Sequence, residues 1–212
     1  MKFGTSIKRT LMILSMVLLT MGSYSGAVAD GTTVNQLISD AVEQFNMVAD
    51  YTCRLNKKVR KNNMLCEDRN ISVKYKKPRH YYFRWTSGMA ERREVIFVEG
   101  KNDDRIIAHP GGLLKFMTFR LEPDGYMAMK ENHHSLKSSG MEKIITLIKS
   151  NTALADAKGL EVIRFIGEGC FDGKRTRVVE GCFPKDKGFC AHRIRLYFYP
   201  AVKLPLKVSI YD

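Results

Sequence analysis

Two stretches near the end of the chain alternate so cleanly that they restrict the fold by themselves. Ile194, Leu196 and Phe198 alternate with Arg193, Arg195, Tyr197 and Tyr199; Leu204, Leu206, Val208 and Ile210 alternate with Pro205, Lys207 and Ser209. Successive side chains of a strand point to opposite faces, so each stretch has one apolar and one wet face. That is the signature of an antiparallel sheet covered on one side only. Strand character also runs through short segments at about 160–167 and 174–181, and earlier at 51–60, 69–77, 79–86, 94–99, 104–109 and 114–121. Turn-rich stretches such as Thr86-Ser87-Gly88 and Glu99-Gly100-Lys101-Asn102-Asp103 separate them. Parallel strands need a crossover of a dozen or more residues, so spacings this tight predict hairpins.

Two segments break the period of two. Thr33 and Gln36 read as a capping box ahead of Val34, Leu37, Ile38, Ala41, Val42 and Phe45, spaced for one helical face. Ser139 and Glu142 repeat the pattern ahead of Met141, Ile144, Ile145 and Ile148. The order helix, six strands, helix, four strands predicts an α+β fold. Its single antiparallel sheet of about ten strands must curl, and the helices cover the concave side. The interior so enclosed is either a filled core or a pocket.

The first residues read as a secretory signal. Lys2, Lys8 and Arg9 precede an uncharged run from Leu11 to Met21, and Ala27-Val28-Ala29 supplies small residues for cleavage. The alternative is a retained membrane anchor, but the run is short of the roughly 20 residues a spanning helix needs. Residues 1–29 are therefore expected to be removed, leaving 30–212 as one exported domain. The chain carries a formal charge of +13, and the leader holds three positive charges and no acidic residue, so the remainder keeps +10. Such an excess suits an anionic partner, including a membrane surface. Export argues against nucleic acid.

All five cysteines lie beyond the leader and would meet an oxidising compartment. Cys182 with Cys190 is the preferred bridge, because the loop between them contains Pro and Gly; Cys53 with Cys66 is the second. A metal site of Cys182, Cys190 and His192 is the alternative, although its spacing fits no standard zinc knuckle. The adjacent His133 and His134 read as a solvated loop pair. No G-x-S-x-G, H-E-x-x-H or phosphate-cradling glycine loop occurs, so nothing in the sequence points to catalysis or a cofactor.

The stretch from Ile71 to Trp85 is the most unusual. Ile71, Val73, Tyr75 and Lys77 share one strand face, and beyond Pro78 so do Tyr81, Phe83 and Trp85. With both faces inward, a cation sits at the edge of an aromatic-lined space that suits a ligand with greasy chains and a polar head. The reading with more weight from the residues alone is that Lys77 snorkels to water while its stem covers apolar surface.

The motif KKPRHYYFRW, the following VIFVEGKNDDRIIAHP and the element order resemble the periplasmic lipoprotein-localisation (LolA-like) factors. With its closing YPAVKLPLKVSIYD, the chain is more nearly similar to an uncharacterised exported bacterial family of that superfamily. The resemblance implies an unclosed half-barrel lidded by two or three helices, with an apolar cavity for acyl chains. In those carriers an arginine before the proline helps control the lid; here Lys77 matches it. Lysine keeps the charge but lacks the planar fork, so it is expected to hold several lid carbonyls less well.

The first functional expectation is a monomeric, non-enzymatic periplasmic carrier or sensor for a lipid or lipidated protein. Lys77, Tyr75, Tyr81, Phe83, Trp85, Phe97 and Phe198 are its ligand-binding candidates. The second is an interaction module with a filled core, docking on an anionic envelope surface or a regulatory protein through its basic outer face.

Overall fold

Helix α1 (Val34–Met47) starts where Thr33 turns extended and its hydroxyl accepts the Gln36 N–H at 3.2 Å. Only half of the expected box forms, because the Gln36 side chain reaches forward to Asp40 instead. In the computed structural model the described residues are 33–61, 63–114, 116–130, 132, 134–189 and 191–211. The expected leader, and Cys190 and His133, lie outside them. The helix buries Leu37, Ile38, Ala41 and Phe45, the stripe its periodicity predicts.

Six strands follow as a meander: β1 (Asp50–Lys61), β2 (Met64–Lys76), β3 (His80–Trp85), β4 (Glu94–Val98), β5 (Ile106–His109) and β6 (Phe119–Leu121). Each pairs antiparallel with the next. A short helix α2 (Tyr126–Met129) and the long α3 (Gly140–Ala157) then lead to β7 (Ile163–Phe171), β8 (Lys174–Cys182), β9 (Arg193–Tyr199) and β10 (Leu204–Tyr211). These last four form a second antiparallel meander.

The fold is α+β with an open, unclosed arrangement of ten strands among the described residues, as the sequence predicts. It differs in one respect: the strands divide into sheets of six and four, with no hydrogen-bonded pair joining them. The break falls where α2 and α3 intervene, between β6 and β7.

Both sheets and both long helices contribute to one apolar cluster. Leu37, Ala41 and Phe45 come from α1, Ile145 and Ile148 from α3, Tyr75, Tyr81 and Phe97 from the six-stranded sheet, and Leu196 and Phe198 from the four-stranded one. Tyr81, Phe97 and Phe198 are among the most completely buried large side chains.

Candidate functional site: the inner face and its two covering helices

Registered pairing places five of the predicted residues on one surface. Ile71 faces Trp85, Val73 faces Phe83, Tyr75 faces Tyr81, and Tyr81 faces Phe97, so alternation sends all of them to the same side. Their rings form a continuous row: Tyr51 to Tyr75 at 4.8 Å between centroids, Tyr75 to Tyr81 at 5.0 Å, Tyr81 to Phe83 at 6.1 Å and Phe83 to Trp85 at 6.5 Å. Phe198 belongs to the same apolar cluster but stands on β9, in the other sheet. At the row's end the buried indole Nε1 of Trp85 has no hydrogen-bond partner.

Lys77 sits at the rim, half-buried, just after β2. Its Nζ donates to the carbonyls of Phe45 (2.6 Å) and Asn46 (3.1 Å) and lies 4.5 Å from the Phe45 ring centroid. Those carbonyls end α1, where the helix dipole is negative and α1 carries no basic residue of its own. A strand therefore supplies the cation that the helix lacks. One ammonium, a compact donor with three N–H groups, thus reaches two carbonyls at the helix end.

Helix α3 is held by Tyr75 and Tyr81 together with Tyr51, Arg79 and Gly140, three residues the sequence reading does not single out. The Met141 N–H donates to the Tyr51 hydroxyl at 3.2 Å, the Tyr81 hydroxyl donates to Ser139 O at 2.9 Å, and the Tyr75 hydroxyl donates to a Glu142 oxygen at 3.0 Å. Arg79 adds its Nε to Glu142 at 3.4 Å and a second nitrogen to Glu99 at 2.8 Å. Gly140 makes this approach possible: a Cβ there would lie 2.9 Å from the Tyr51 hydroxyl and 3.1 Å from Tyr81, and its φ is +74°. The expected Ser139–Glu142 capping box does not form. Ser139 makes no cap bond and donates to Ser135 O, while Glu142 is drawn to Tyr75 and Arg79. Burial pushes Tyr51 up to about 12 and raises Tyr75 and Tyr81 further. At neutral pH all three hydroxyls keep their protons, so Tyr75 and Tyr81 can donate.

Between α3 and the four-stranded sheet the described side chains leave little room. A cleft under α3 against the four-stranded sheet, lined by Ile148, Val179, Phe183 and Leu196 among others, leaves about 20 Å³. A ligand pocket runs to roughly 300 Å³ or more. Tyr75, Tyr81, Phe83 and Phe97 of the aromatic row are themselves buried in the apolar cluster.

The second cysteine pairing is overturned. Cys53 faces Val73 while Cys66 faces Val59, so they stand six residues apart along the β1–β2 hairpin. That is about 20 Å at the rise of a strand, and a disulfide needs Cα atoms within roughly 7 Å. Cys53, Cys66, Cys170 and Cys182 are free; the preferred Cys182–Cys190 bridge falls outside the described residues. Among the described residues no three His, Cys, Asp or Glu side chains gather as metal ligands would.

Fold and site together define a helix-lidded, open antiparallel α+β protein. The chain belongs to the family described as "Protein of unknown function (DUF1571)", whose family model matches residues 48–212, beginning just after α1. The resemblance to an uncharacterised family is met by this one. Similar solved structures include the lipoprotein LppX of Mycobacterium tuberculosis, at 12% identity over 84% of this chain and 88% of that one, with a TM-score of 0.45. A DUF1329 family protein of Desulfovibrio piger is 14% identical over 85% of this chain and 74% of that one, with a TM-score of 0.37. A LolA superfamily protein of Nitrosomonas europaea is 11% identical over 85% and 72%, with a TM-score of 0.31. No curated protein matches the chain.

Proposed function

We propose that this is an exported, non-enzymatic periplasmic protein that shelters an acyl chain, a lipoprotein lipid or another amphiphile, and that the conformation described is its closed form. The observation carrying this reading is the Lys77 contact: a single rim cation holds the end of α1, whose Phe45 ring lies 6.4 Å from Tyr75 of the aromatic row. Withdrawing α1 uncovers Leu37, Ile38, Ala41 and Phe45 on the helix and the Tyr75 ring that Phe45 meets. Exposing those side chains costs about 1.5–3 kcal/mol for each large one, which burial of about ten methylenes at about 0.8 kcal/mol each offsets. The unpartnered Trp85 N–H offers a donor to a polar head, and Lys77, once released, offers a charge. Residues 1–29 supply the export signal, and the protein acts as a monomer.

The test is a titration with palmitate, followed by the emission of Trp85, the only tryptophan. A saturable change that weakens in Lys77→Glu supports the reading; indifference to palmitate and to uncharged amphiphiles alike removes it. The small cleft under α3, about 20 Å³, favours a second reading, an interaction module that docks through its basic outer face. That reading predicts binding to anionic vesicles that falls steeply with salt and survives changes at Phe83.

A further inference from the structure

A concavity of about 530 Å³ lies outside the six-stranded sheet, on the face opposite the aromatic row. Alternation turns Ser72 and Lys74 of β2, and Tyr82 and Arg84 of β3, away from the core, and the pairs Ser72 with Arg84 and Lys74 with Tyr82 set them side by side. The β3–β4 connection closes the concavity by turning back on itself. Arg92 N–H donates to Trp85 O at 2.9 Å, Arg93 N–H to Ala90 O at 2.9 Å and Glu91 N–H to Gly88 O at 3.0 Å, which fixes Glu91 and Arg92 in the lining.

The charges here are only partly used. Glu94 takes the Tyr82 hydroxyl at 2.9 Å and Arg84 at 3.6 Å. Lys74 lies 5.8 Å from the Tyr82 ring, and among the described residues neither Lys74 nor Arg92 is in an ion pair. The lining therefore sets three cations against one carboxylate, Glu91. Cations converging from two strands and a loop suit a phosphate, which takes charge-assisted bonds from Arg and Lys. A bare phosphate would leave most of the volume empty and meet Glu91 unfavourably. A phosphorylated ring polyol resolves both, because its hydroxyls can donate to Glu91 and exchange hydrogen bonds with Ser72.

We propose that this outer concavity binds a phosphorylated sugar or cyclic polyol, held at the phosphate by Lys74, Arg84 and Arg92 and at its hydroxyls by Glu91. The site lies on the outer face and meets the inner row at Trp85, which also borders it, but its charged residues play no part in the amphiphile reading, so each can fail without the other. The same chemistry could reach it free in solution or as a lipid headgroup.

Calorimetric titration of the full chain with inositol monophosphate, inorganic phosphate and inositol tests it. Saturable binding of inositol monophosphate, tighter than inorganic phosphate and absent for inositol, is expected. Lys74→Ala and Arg92→Ala should each weaken it roughly tenfold, the loss of one charge-assisted contact, while Lys207→Ala on the four-stranded sheet changes nothing. All three positions are on the surface, and unchanged melting curves confirm that each variant is folded. Sedimentation with phosphatidylinositol vesicles, abolished by Arg92→Ala, assigns a lipid-borne source; binding of the free ester without the vesicles assigns a soluble one. Absence of saturable binding to both ester and vesicles, equal affinity in wild type and the two variants, or inositol binding as well as its phosphate, would overturn the proposal.

Discussion

Helices α1 and α3 cover one interior and are held to it in unlike ways. The shorter α1 rests on four buried side chains, an exposed Asp40–Lys203 pair at 3.2 Å and the Lys77 ammonium at its last carbonyls. The longer α3 buries five residues and is pinned at its first turn by Tyr51, Tyr75 and Tyr81, with Arg79 behind Glu142. A surface ion pair contributes little, so Lys77 is the main polar hold on α1, whereas α3 has several, set among buried rings. On the proposed carrier reading the difference gives each helix a part, α1 the leaf that opens and α3 the fixed wall. One polar hold on each helix springs from the turn between β2 and β3, Lys77 on one side of Pro78 and Arg79 on the other.

The largest expected effect strikes the fixed wall. Gly140→Ala puts a Cβ 2.9 Å from the Tyr51 hydroxyl at a φ of +74°. The left-handed backbone costs roughly 1–2 kcal/mol, and each displaced hydroxyl bond about 1 kcal/mol more. A loss of about 3 kcal/mol lowers the melting temperature of a chain this size by roughly 6–12 °C. A melt within a degree or so of wild type would mean that the docking at Gly140 holds nothing.

Alkali attacks the same wall by another route. Burial raises Tyr51 to about 12 from an ordinary value near 10, so its neutral hydroxyl favours the folded state. That contribution is whole below about pH 10 and is lost as pH rises through about 12, some 2–3 kcal/mol by linkage. Urea unfolding measured across this range should fall less steeply in Tyr51→Phe; identical slopes would remove Tyr51 from the account.

The leaf should respond more gently. Lys77→Met removes two charge-assisted bonds at a half-buried rim, about 1–2 kcal/mol. Hydrogen exchange should quicken roughly tenfold in the α1 amides while those of α3 keep their protection. Lys77→Arg should leave both nearly unchanged. Equal quickening in the two helices would show that they open as one body.

The strands and long helices are most legible where one face is buried: in β9, Ile194, Leu196 and Phe198 are buried and the residues between them are not, whereas in β10 a register shift between Pro205 and Lys207 breaks the alternation, burying Pro205 and exposing Ile210. What periodicity cannot report is which strand lies beside which, so the interruption between β6 and β7 is invisible to it. Nor does it see α2, a single turn that buries nothing. Alternation alone puts Tyr75 on one strand face and Tyr81, Phe83 and Trp85 on another; it is the strand pairing that joins them and adds Phe97, and the burial of that surface depends on side chains arriving from α1 and α3. Glu142 was misread for a similar reason. Its local role at a helix start lost to Tyr75 and Arg79, more than sixty positions away. A signal did exist in the glycine at the start of α3, since a helix opening on Gly among aromatic strands marks close approach.

The smallest effect is also the sharpest test of the division between leaf and wall. Arg79 is half exposed, and Arg79→Ala should shift global stability by less than about 0.5 kcal/mol. Its value lies in combination with Lys77→Met. The two side chains leave the same turn but share no partner: Lys77 takes Phe45 and Asn46, Arg79 takes Glu99 and Glu142. If the holds are independent, the double variant should match the sum of the singles within about 0.5 kcal/mol. A coupling of about 1 kcal/mol or more would make the turn a common hinge. The α1 leaf could then not lift without loosening the α3 wall, and the opening would have to involve both helices.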